Sequence, residues 1–548
     1  MSMNERDPEA GFTMIAAVIA MSVMALLAAV AVAAVNGDTN LTHRDLESKQ
    51  AYEAARAGVE DYSFHLDVNG SYWEQCANVA EPSAVNQVGS TAKRRKVPGS
   101  ATAEYAIELL PSTSQSTYKE CSTTNAAASM LEPSDNLTGA FRIRSVGFSG
   151  KAKSSIVATF RRPSFLDYVY FTQFETLDPI LYAQPEWLKS AYEHCETTIA
   201  EGREETPIPN SGGRYCPIIS FATGDEQQGP VHTNDSFVIC GSPVFGRNPS
   251  DVIEASGGPP SWYAGNSTKL GPSRPGCSSS GPVVKGTLKE ISSSLEPPAT
   301  NGSLATIAEP KFRYTGQVKI CLTGGTTMSV GNNGGCTNLY QGAIPPNGVI
   351  YISSGAGCSS TYTPFTAEYP STSNCGNAIV EGTYSGQLTI AAENDILITG
   401  NVVREKNTEG LLGLIANNFV RVYHNYPNEG LEESSHQPSC SRYSNRGSEA
   451  GLGNVTIDAA ILAINHSFIV DHYDCGKSQG TLTVNGAIAQ KFRGPVGTFE
   501  TNSRTGQTTT VSGYAKNYEY DDRLRYEEPP NFLDPVSKSW VVGRETSG

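Results

Sequence analysis

Two pairs of neighbouring carboxylates are the residues of this chain whose type and spacing could support acid–base catalysis. They are Glu393 with Asp395, and Asp521 with Asp522. Glycoside hydrolysis needs two carboxyl groups at a set separation, one of them protonated. Alternate residues of a strand share a face, so Glu393 and Asp395 could converge, whereas Asp521 and Asp522 would point to opposite faces. Asp395 directly precedes an apolar run, however, where an aspartate that forms a turn is the commoner role.

Histidine and nucleophile motifs make no stronger case for catalysis. His472, between Asp471 and Asp474, is the one compact group that resembles metal ligands, but no second histidine lies at ligand spacing and a solvated loop explains the group as well. The sequence has no G-x-S-x-G nucleophile turn, Walker loop or EF-hand pattern. We therefore expect a protein that is not an enzyme, with no catalytic residue, no cofactor and no metal site.

Cysteines carry the remaining side-chain chemistry. An even number of them, all beyond the N-terminal helix described below, predicts structural disulfides in an oxidising compartment. The absence of any C-x-x-C pair gives no support to a zinc ribbon or a redox site. Spacing does not fix the connectivity; pairing between neighbours is the simplest scheme, and the flexible glycine-rich loop between Cys321 and Cys336 predicts that these two pair. The 12 candidates are Cys76, Cys121, Cys195, Cys216, Cys240, Cys277, Cys321, Cys336, Cys358, Cys375, Cys440 and Cys475.

An uncharged run from Phe12 to Val35 is the first structural element that the sequence predicts. At ~1.5 Å per residue it forms a helix of about 36 Å, enough for a hydrocarbon core of ~30 Å. Acidic residues outnumber Arg6 before the run, and the run is too long for a secretory signal peptide, although Ala31-Val32-Ala33 could serve as a cleavage site. The run predicts a single membrane span, whose orientation charge alone does not fix.

The membrane run continues into an amphipathic helix. Tyr52, Ala55, Val59, Tyr62 and Leu66 recur at alternating steps of three and four, which is one face of a helix. We expect this face to pack on a globular head.

Two motifs in these helices resemble a known family. Gly11-Phe12-Thr13-Met14-Ile15 is similar to the type IV prepilin cleavage and methylation motif, and residues 51–60 (AYEAARAGVE) resemble the segment after the membrane helix of PilX-like minor pilins. The resemblance implies that a prepilin peptidase cuts after Gly11 and that Phe12 becomes a methylated N-terminus. It also implies contacts with other pilin or pseudopilin subunits through the helix. Ala16 stands where major pilins of this pattern carry a glutamate, which suits a subunit at a filament tip.

Periodicity in the C-terminal part predicts a solenoid. Short apolar strands begin at Asn394, Asn418 and His466, separated by 24 and then 48 residues, which fits one coil of a parallel β-helix per ~24 residues. Phrases such as residues 413–417 (GLIAN) and 459–463 (AAILA) resemble a β-helical domain of long bacterial pilin-like surface proteins. We expect Arg421 to point outward and the inward positions to include Ile396, Ile398, Val420, Val422 and Ile469.

The predicted fold is mainly β with a long N-terminal α-helix. Alternation around Tyr105, Phe141 and Ile156 predicts half-buried antiparallel strands, as in a pilin head. The domains follow as 1–11, a leader peptide; 12–66, a transmembrane and amphipathic stem helix; 67–180, a pilin-like antiparallel β-sheet head; 181–320, a Gly/Ser/Pro-rich, Cys-rich loop region stapled by disulfides; and 321–548, a right-handed parallel β-helix with a C-terminal cap.

Charge narrows the function. A net charge of −15 argues against nucleic-acid binding, and the basic run 93–96 suits a solvated loop or contact with an anionic surface polymer or lipid. We expect a minor pilin-like or pseudopilin-like, membrane-anchored surface protein, with its bulk extracytoplasmic, at the cell surface or in a pilus, serving pilus assembly or adhesion to a host or abiotic surface. The alternatives are a secreted or anchored β-helix enzyme acting on polysaccharide, and a structural envelope protein that never assembles.

Overall fold

A computed structural model describes most of the 548 residues, in two compact units. The described residues are 10–69, 72–74, 94–110, 140–161, 163–197, 203, 206–257, 281–290, 294–332, 334–358, 374–425, 450–501, 508–536 and 540–547. For residues 10–16 and 30–42 the backbone alone is described. Unit 1 comprises residues 1–162 and 538–548, and unit 2 comprises residues 163–537. Unit 2 is therefore an insertion into the sequence of unit 1.

The chain is mainly β, with several sheets and a long N-terminal helix, as the sequence predicts. Among the residues that the structure describes, α-helices with defined bounds are α1 (Ala10–Val68), α2 (Leu188–Thr197) and α3 (Leu304–Ile307). Short 3-10 helices lie at Tyr72–Glu74, Phe165–Asp167, Pro179–Leu181, Pro310–Phe312 and Asp522–Arg525.

The strands are numbered in chain order. The first thirteen are β1 (Arg95–Lys96), β2 (Glu104–Leu110), β3 (Phe141–Ser149), β4 (Ala152–Arg161), β5 (Tyr170–Phe174), β6 (Phe221–Ala222), β7 (Glu226–Gln228), β8 (Val231–Thr233), β9 (Ile239–Cys240), β10 (Val244–Phe245), β11 (Val252–Ala255), β12 (Val283–Val284) and β13 (Thr287–Glu290). The others are β14 (Arg313–Thr315), β15 (Val318–Thr323), β16 (Thr327–Gly331), β17 (Tyr340–Ala343), β18 (Val349–Ser353), β19 (Ala378–Tyr384), β20 (Leu388–Ala392), β21 (Ile396–Arg404), β22 (Leu412–Ala416), β23 (Val420–Val422), β24 (His424–Asn425), β25 (Ala450–Gly451), β26 (Val455–Ala463), β27 (Phe468–Val470), β28 (Ser478–Phe492), β29 (Gly497–Thr501), β30 (Thr508–Tyr520) and β31 (Val541–Ser547).

Unit 1 is an antiparallel sheet against which α1 packs. Its strand order is β1-β2-β3-β4-β31, so the last strand of the chain completes a sheet that the N-terminal part begins. Alternating burial along β3 follows the sequence pattern, with Phe141 and Ile143 inward and Arg142 and Arg144 less buried. The sheet thus contains residues 541–547, which the sequence-based domains placed in the C-terminal region.

Unit 2 is a stack of parallel strands, called here the parallel stack, with three ladders. The first ladder runs in space through β14, β18, β20, β22, β26, β28, β5, β8, β11 and β13, and each of these neighbouring pairs is parallel. The second runs through β15, β19, β21, β23 and β27. The third runs through the C-terminal parts of β15, β19 and β21 and the N-terminal parts of β26 and β28 to β30, β7, β10 and β12.

The order of these strands in space is permuted relative to the sequence. Strand β28, near the end of unit 2, pairs with β5, its first strand, and β30 pairs with β7. The stack therefore begins at β14, proceeds to the C-terminal strands and continues into the N-terminal strands as far as β13. Residues 163–290 extend the stack beyond the C-terminal strands, so β30 does not close an end of it. Consistent with this, Tyr514 and Tyr518 are buried in the core.

The 24-residue interval and the inward positions are mostly as predicted. Ile396 pairs with Val420, and Val420 pairs directly with Phe468, so the 48-residue interval is one step of the ladder and not two. Ile396, Ile398, Val420 and Val422 lie in the central core. Ile469 does not: its neighbours Phe468 and Val470 are in that core, while Ile469 packs outside it against Leu181 and Phe419.

Residues 181–320, predicted to be loop-dominated, contribute strands β7, β8 and β10 to β14 to the ladders. These strands have two to four residues, too short for an alternation that could be recognised in the sequence. Disulfides join Cys195 to Cys216, Cys321 to Cys336 and Cys358 to Cys375, which includes the pair predicted from its loop. Cys240 and Cys475 are also disulfide-bonded, whereas Cys76, Cys121, Cys277 and Cys440 lie outside the described residues.

A connecting segment, residues 294–312, returns the chain from one end of the stack to the other. Leu295 exchanges two hydrogen bonds with the Asn234 side chain beside β8, and Asn301 Nδ2 donates to the carbonyl oxygens of Ala392 and Ile415. From β8 to β14 the ladder spans about 34 Å at ~4.8 Å per strand, and an extended chain from Leu295 to Arg313 reaches about 60 Å. The segment is long enough to run along the stack.

Candidate assembly site on the N-terminal helix

Helix α1 changes its environment along its length. From residue 17 to residue 29 its large apolar side chains are 49–67% exposed; these are Val18, Ile19, Met21, Val23, Met24, Leu26 and Leu27. From Ala51 onward one face is buried against the sheet of unit 1. One continuous helix therefore has a part that presents apolar side chains outward and a part that anchors it to a folded sheet.

The buried face of α1 packs on aromatic side chains of the sheet. Tyr62 is fully buried, and its ring centroid lies 5.5 Å from that of Phe160. Phe141 stacks on Phe160 at 5.4 Å and meets the edge of Trp540 at 4.8 Å. Such aromatic pairs stabilise by about 0.5–1.5 kcal/mol beyond the area they bury. The sheet thus holds the second half of α1 in place.

At its closest approach to the sheet, α1 presents small residues. A Cβ added to Gly147 of β3 would lie 1.9 Å from the carbonyl oxygen of Ala51 and 2.3 Å from the amide nitrogen of Ala55, so the backbones touch at this point. The buried face is therefore centred on Ala51 and Ala55. Tyr52, predicted to belong to it, is 46% exposed instead, because a ring does not fit where two backbones meet.

The predicted processing residues lie at the start of this helix. Gly11 and Phe12 are in the first turn of α1, and nothing is described of their side chains. Part of the predicted membrane run, residues 30–35, is likewise described by its backbone alone. Among the residues that the structure describes, no helix is long and apolar enough to cross a membrane.

The basic run 93–96 is partly used within unit 1. Arg95 Nη1 donates to Asp61 Oδ2 of α1 at 3.0 Å, and Arg94 lies over the Phe148 ring at 3.7 Å. Lys96 is exposed, and Lys93 lies outside the described residues. Two of the four cations therefore support the packing of unit 1.

The carboxylates considered for acid–base catalysis have separate partners. Glu393 accepts from the backbone N–H of Ser354, whereas Asp395 Oδ1 accepts from the backbone N–H of Phe419 at 3.0 Å on the next strand. Asp521 caps a 3-10 helix and pairs with Arg523, and Asp522 accepts two hydrogen bonds of 2.9 Å from Arg247. The structure does not bring either pair together on one substrate-sized opening.

Arg421 lies outside the central core, as predicted, but it is buried there and not solvated. Its guanidinium is 9% exposed and holds Asp471 through two hydrogen bonds of 3.0 and 3.2 Å and Asp395 through one of 3.2 Å. Leu181 and Ile469 form an apolar cluster on the same outer side of the second ladder. A charge in an otherwise apolar strand was the available signal, but its carboxylate partners lie 26 and 50 residues away in the sequence.

The histidine group considered for metal binding is occupied by hydrogen bonds. His472 Nδ1 lies 2.8 Å from the carbonyl oxygen of His424, and burial lowers the pKa of His472 while it raises the pKa of Asp474. Among the described residues, the sulfur atoms of Cys321 and Cys336 lie close to a carboxylate oxygen of Glu381. Those sulfurs form a disulfide, and metal coordination requires the thiolate.

Comparison with known proteins yields no sequence family and only distant structural likeness. No protein family model matches the chain, and no curated protein matches its sequence. Among solved structures, the chain is similar to the competence-associated pilin ComZ from Thermus thermophilus, with 11% sequence identity and a TM-score of 0.26. The alignment covers 92% of this chain and 98% of that chain. At this TM-score the likeness carries no argument about fold or function.

Proposed function

We propose that this chain is a minor pilin-like or pseudopilin-like surface protein, anchored in a membrane by α1 and with its bulk on the extracytoplasmic side. The observation that carries the proposal is the two-part character of α1. Apolar side chains between residues 17 and 29 are exposed, as suits a helix that inserts in lipid or among the helices of other pilin subunits, while residues beyond Ala51 are fixed to a sheet.

The sequence motifs at both ends of that helix support the same function. Gly11 and Phe12 form the junction that resembles a prepilin cleavage site, with prepilin peptidase as the implied partner. Ala16 stands where related major pilins carry glutamate. A buried carboxylate is costly unless it is paired, so a subunit without one does not need a preceding subunit for its pairing. We infer a place at a filament tip, where the protein initiates assembly or contacts a surface.

We infer further that the parallel stack is a right-handed parallel β-helix. Its support is the three parallel ladders and the 24-residue steps between Leu388 and Leu412 and between Ile396 and Val420. Parallel strands joined by a crossover connection are right-handed in about 98% of cases. This large unit serves as an adhesive or spacing head.

The head in this proposal is structural and not enzymatic. Asp395 is bound by a guanidinium and an amide, Asp522 is bound by two guanidinium groups, and Glu393 is bound by an amide. Glycoside hydrolysis needs two carboxyl groups that face one substrate, whereas each of these carboxylates is held by its own separate partners. Adhesion to a surface polymer or to a host or abiotic surface remains the function of the head.

Mapping of the mature N-terminus tests the proposal. The full chain is expressed together with a prepilin peptidase, and the N-terminal peptide is identified by mass spectrometry. We expect a methylated Phe12. Gly11→Leu should retain the leader, because a bulky side chain blocks the approach of the peptidase to the backbone, whereas Ala10→Leu, one residue upstream, should still be processed.

Each other result points to a specific alternative. A mature chain that begins near Ala34 would indicate a cleaved secretory signal, and an intact Met1 would indicate a plain membrane anchor. Processing of Gly11→Leu at the same position would remove the prepilin interpretation.

A further inference from the structure

A buried ionic cluster lies where the permuted strands meet. The C-terminal part of the stack contributes two cations, Arg493 directly after β28 and Lys516 in β30. The N-terminal part contributes two anions, Glu175 directly after β5 and Asp225 directly before β7. Arg493 Nη1 lies 3.1 Å from Glu175 Oε2 and its Nη2 lies 3.7 Å from Asp225 Oδ2. All four side chains are at most 9% exposed. The junction therefore combines opposite charges from two distant parts of the sequence.

Lys516 and Asp225 face each other across this junction. Tyr518 of β30 is the register partner of Gln227 of β7, so Lys516 and Asp225, each two residues earlier, fall opposite one another on the same side of the ladder. Lys516 Nζ lies 3.0 Å from Asp225 Oδ1 and 3.2 Å from Oδ2. The amine therefore contacts both oxygens of the carboxyl group.

The two carboxylate oxygens of Asp225 have different surroundings. Oδ2 accepts a hydrogen bond from the backbone N–H of Ala222 at 3.0 Å and lies near Arg493, while Lys516 is the one partner described for Oδ1. Aromatic side chains enclose the site: Arg493 lies over the Phe221 ring at 3.5 Å, and Lys516 Nζ lies 5.6 Å from the centre of the Phe499 ring. Water has little access to this amine.

We propose that Lys516 and Asp225 condense to an intramolecular isopeptide bond that links the two ends of the permuted stack. The Nζ lone pair attacks Cγ of Asp225, and the N–C bond forms. The bond between Cγ and Oδ1 breaks, and its electron pair leaves with the oxygen. Two protons from the Lys516 ammonium complete that oxygen as one water molecule. Oδ2 remains as the amide carbonyl oxygen, held by Ala222.

The site supplies what this condensation needs without any co-reactant. An ammonium and a carboxylate contain all the atoms of an amide and a water molecule. Burial disfavours both charges, so conversion to a neutral amide removes a desolvation penalty that the folded chain otherwise carries. Burial also lowers the pKa of the Lys516 amine, which favours the free amine that attacks. The protons pass directly from Nζ to Oδ1, which lie 3.0 Å apart.

The bond would join parts of unit 2 that the described disulfides leave unlinked. The three disulfides with both ends described connect residues 15, 17 and 21 positions apart, so each closes a local loop. Lys516 and Asp225 are 291 residues apart. A covalent link between them would prevent the N-terminal strands from separating from the C-terminal strands under tensile load.

Tryptic mapping of the reduced full chain tests the proposal. The expected product is a peptide of residues 215–247 joined to residues 505–523, uncut after Lys516 and lighter than the sum of its parts by one water. Lys516→Arg and Asp225→Ala should each abolish it. Lys491→Arg, which alters an amine 2.8 Å from Glu196 at a more exposed site, should leave it intact.

Two results would overturn the proposal. Recovery of separate peptides with cleavage after Lys516, from folded unmodified chain, would show that no bond forms, and this result does not depend on whether any variant folds. A linked peptide that persists in Lys516→Arg would place the bond on another residue.

Discussion

Replacement of Arg421 by methionine should destabilise unit 2 strongly. The substitution keeps most of the volume and apolar stem of the side chain but leaves Asp395 and Asp471, which are 4% and 0% exposed, without their cation. Removal of one partner from a buried ion pair costs about 3–5 kcal/mol, since an uncompensated charge stays buried. Because Arg421 binds two carboxylates, we expect a loss at the upper end of this range.

Thermal unfolding of the disulfide-intact chain, followed by circular dichroism, measures this loss. Lys406→Met is the matched control, since it removes an exposed cation from a turn of the same stack and should change stability by no more than about 0.5 kcal/mol. The triple variant Arg421→Met, Asp395→Asn, Asp471→Asn should recover much of the stability. It leaves no charge buried, and the amide oxygen introduced by Asp395→Asn can still accept the hydrogen bond from the backbone N–H of Phe419.

Two outcomes would refute this reasoning. If Arg421→Met unfolds at the same temperature as Lys406→Met, the guanidinium does not compensate buried charge. If the two asparagine substitutions bring no recovery, the loss comes from packing and not from the carboxylates. Val420→Asp should also destabilise strongly, since Val420 lies in the central core, so the two neighbouring positions are both intolerant, one for its apolar contacts and the other for its ion pairs.

Two further predictions concern helix packing and pH. Gly147→Ala should destabilise unit 1 by about 1–3 kcal/mol, the usual cost of overpacking, because its Cβ would meet the α1 backbone. Gly281→Ala is the control, because the space around Gly281 is open. Equal thermal stability of the two variants would contradict the close approach. Burial, and secondarily Asp534, raises the pKa of Glu528 to about 8. The folded chain therefore retains a proton that the unfolded chain releases near pH 4. The free energy of unfolding then falls as the pH rises from about 4 to about 8. Glu528→Gln should therefore match the unmodified chain near pH 5 and exceed it at pH 8 in thermal unfolding, and a parallel pH dependence of both proteins would exclude this.

The sequence predicts the elements of unit 1 better than their contacts. A period of 3.6 residues identifies Ala55, Val59, Tyr62 and Leu66 as one face, and the structure buries all four. It does not reveal that this face is shifted away from Tyr52, because the shift depends on a glycine in a strand almost a hundred residues later. Periodicity identifies the buried face of a helix only approximately. The strand that packs against the helix determines which residues lie at the centre of that face.

In unit 2 the sequence predicts individual strands but does not predict which residues pack on their outer side. Ile396 and Ile398 are correctly predicted as inward, because alternate residues of a strand share a face. Around Ile469 both faces of the strand are apolar, and alternation then cannot distinguish the central core from the outer cluster with Leu181. Likewise, the ion pair that holds Arg421 depends on Asp471, which lies 50 residues further along the chain and which no local pattern connects with it.

The permuted order of the stack follows from the insertion of unit 2 into unit 1. Val541 of β31 is the register partner of Arg161 of β4, so the chain leaves and rejoins the sheet of unit 1 at adjacent positions. An insertion between adjacent positions is easiest to accommodate when strands near its two ends are neighbours. A solenoid wound in simple sequence order would hold those strands at opposite ends. Unit 2 instead places β5 beside β28 in the middle of the stack and uses residues 294–312 to return along it. In this arrangement β28 and β30 pair with β5 and β7, from which they are distant in sequence. At this junction the cations Arg493 and Lys516 meet the anions Glu175 and Asp225.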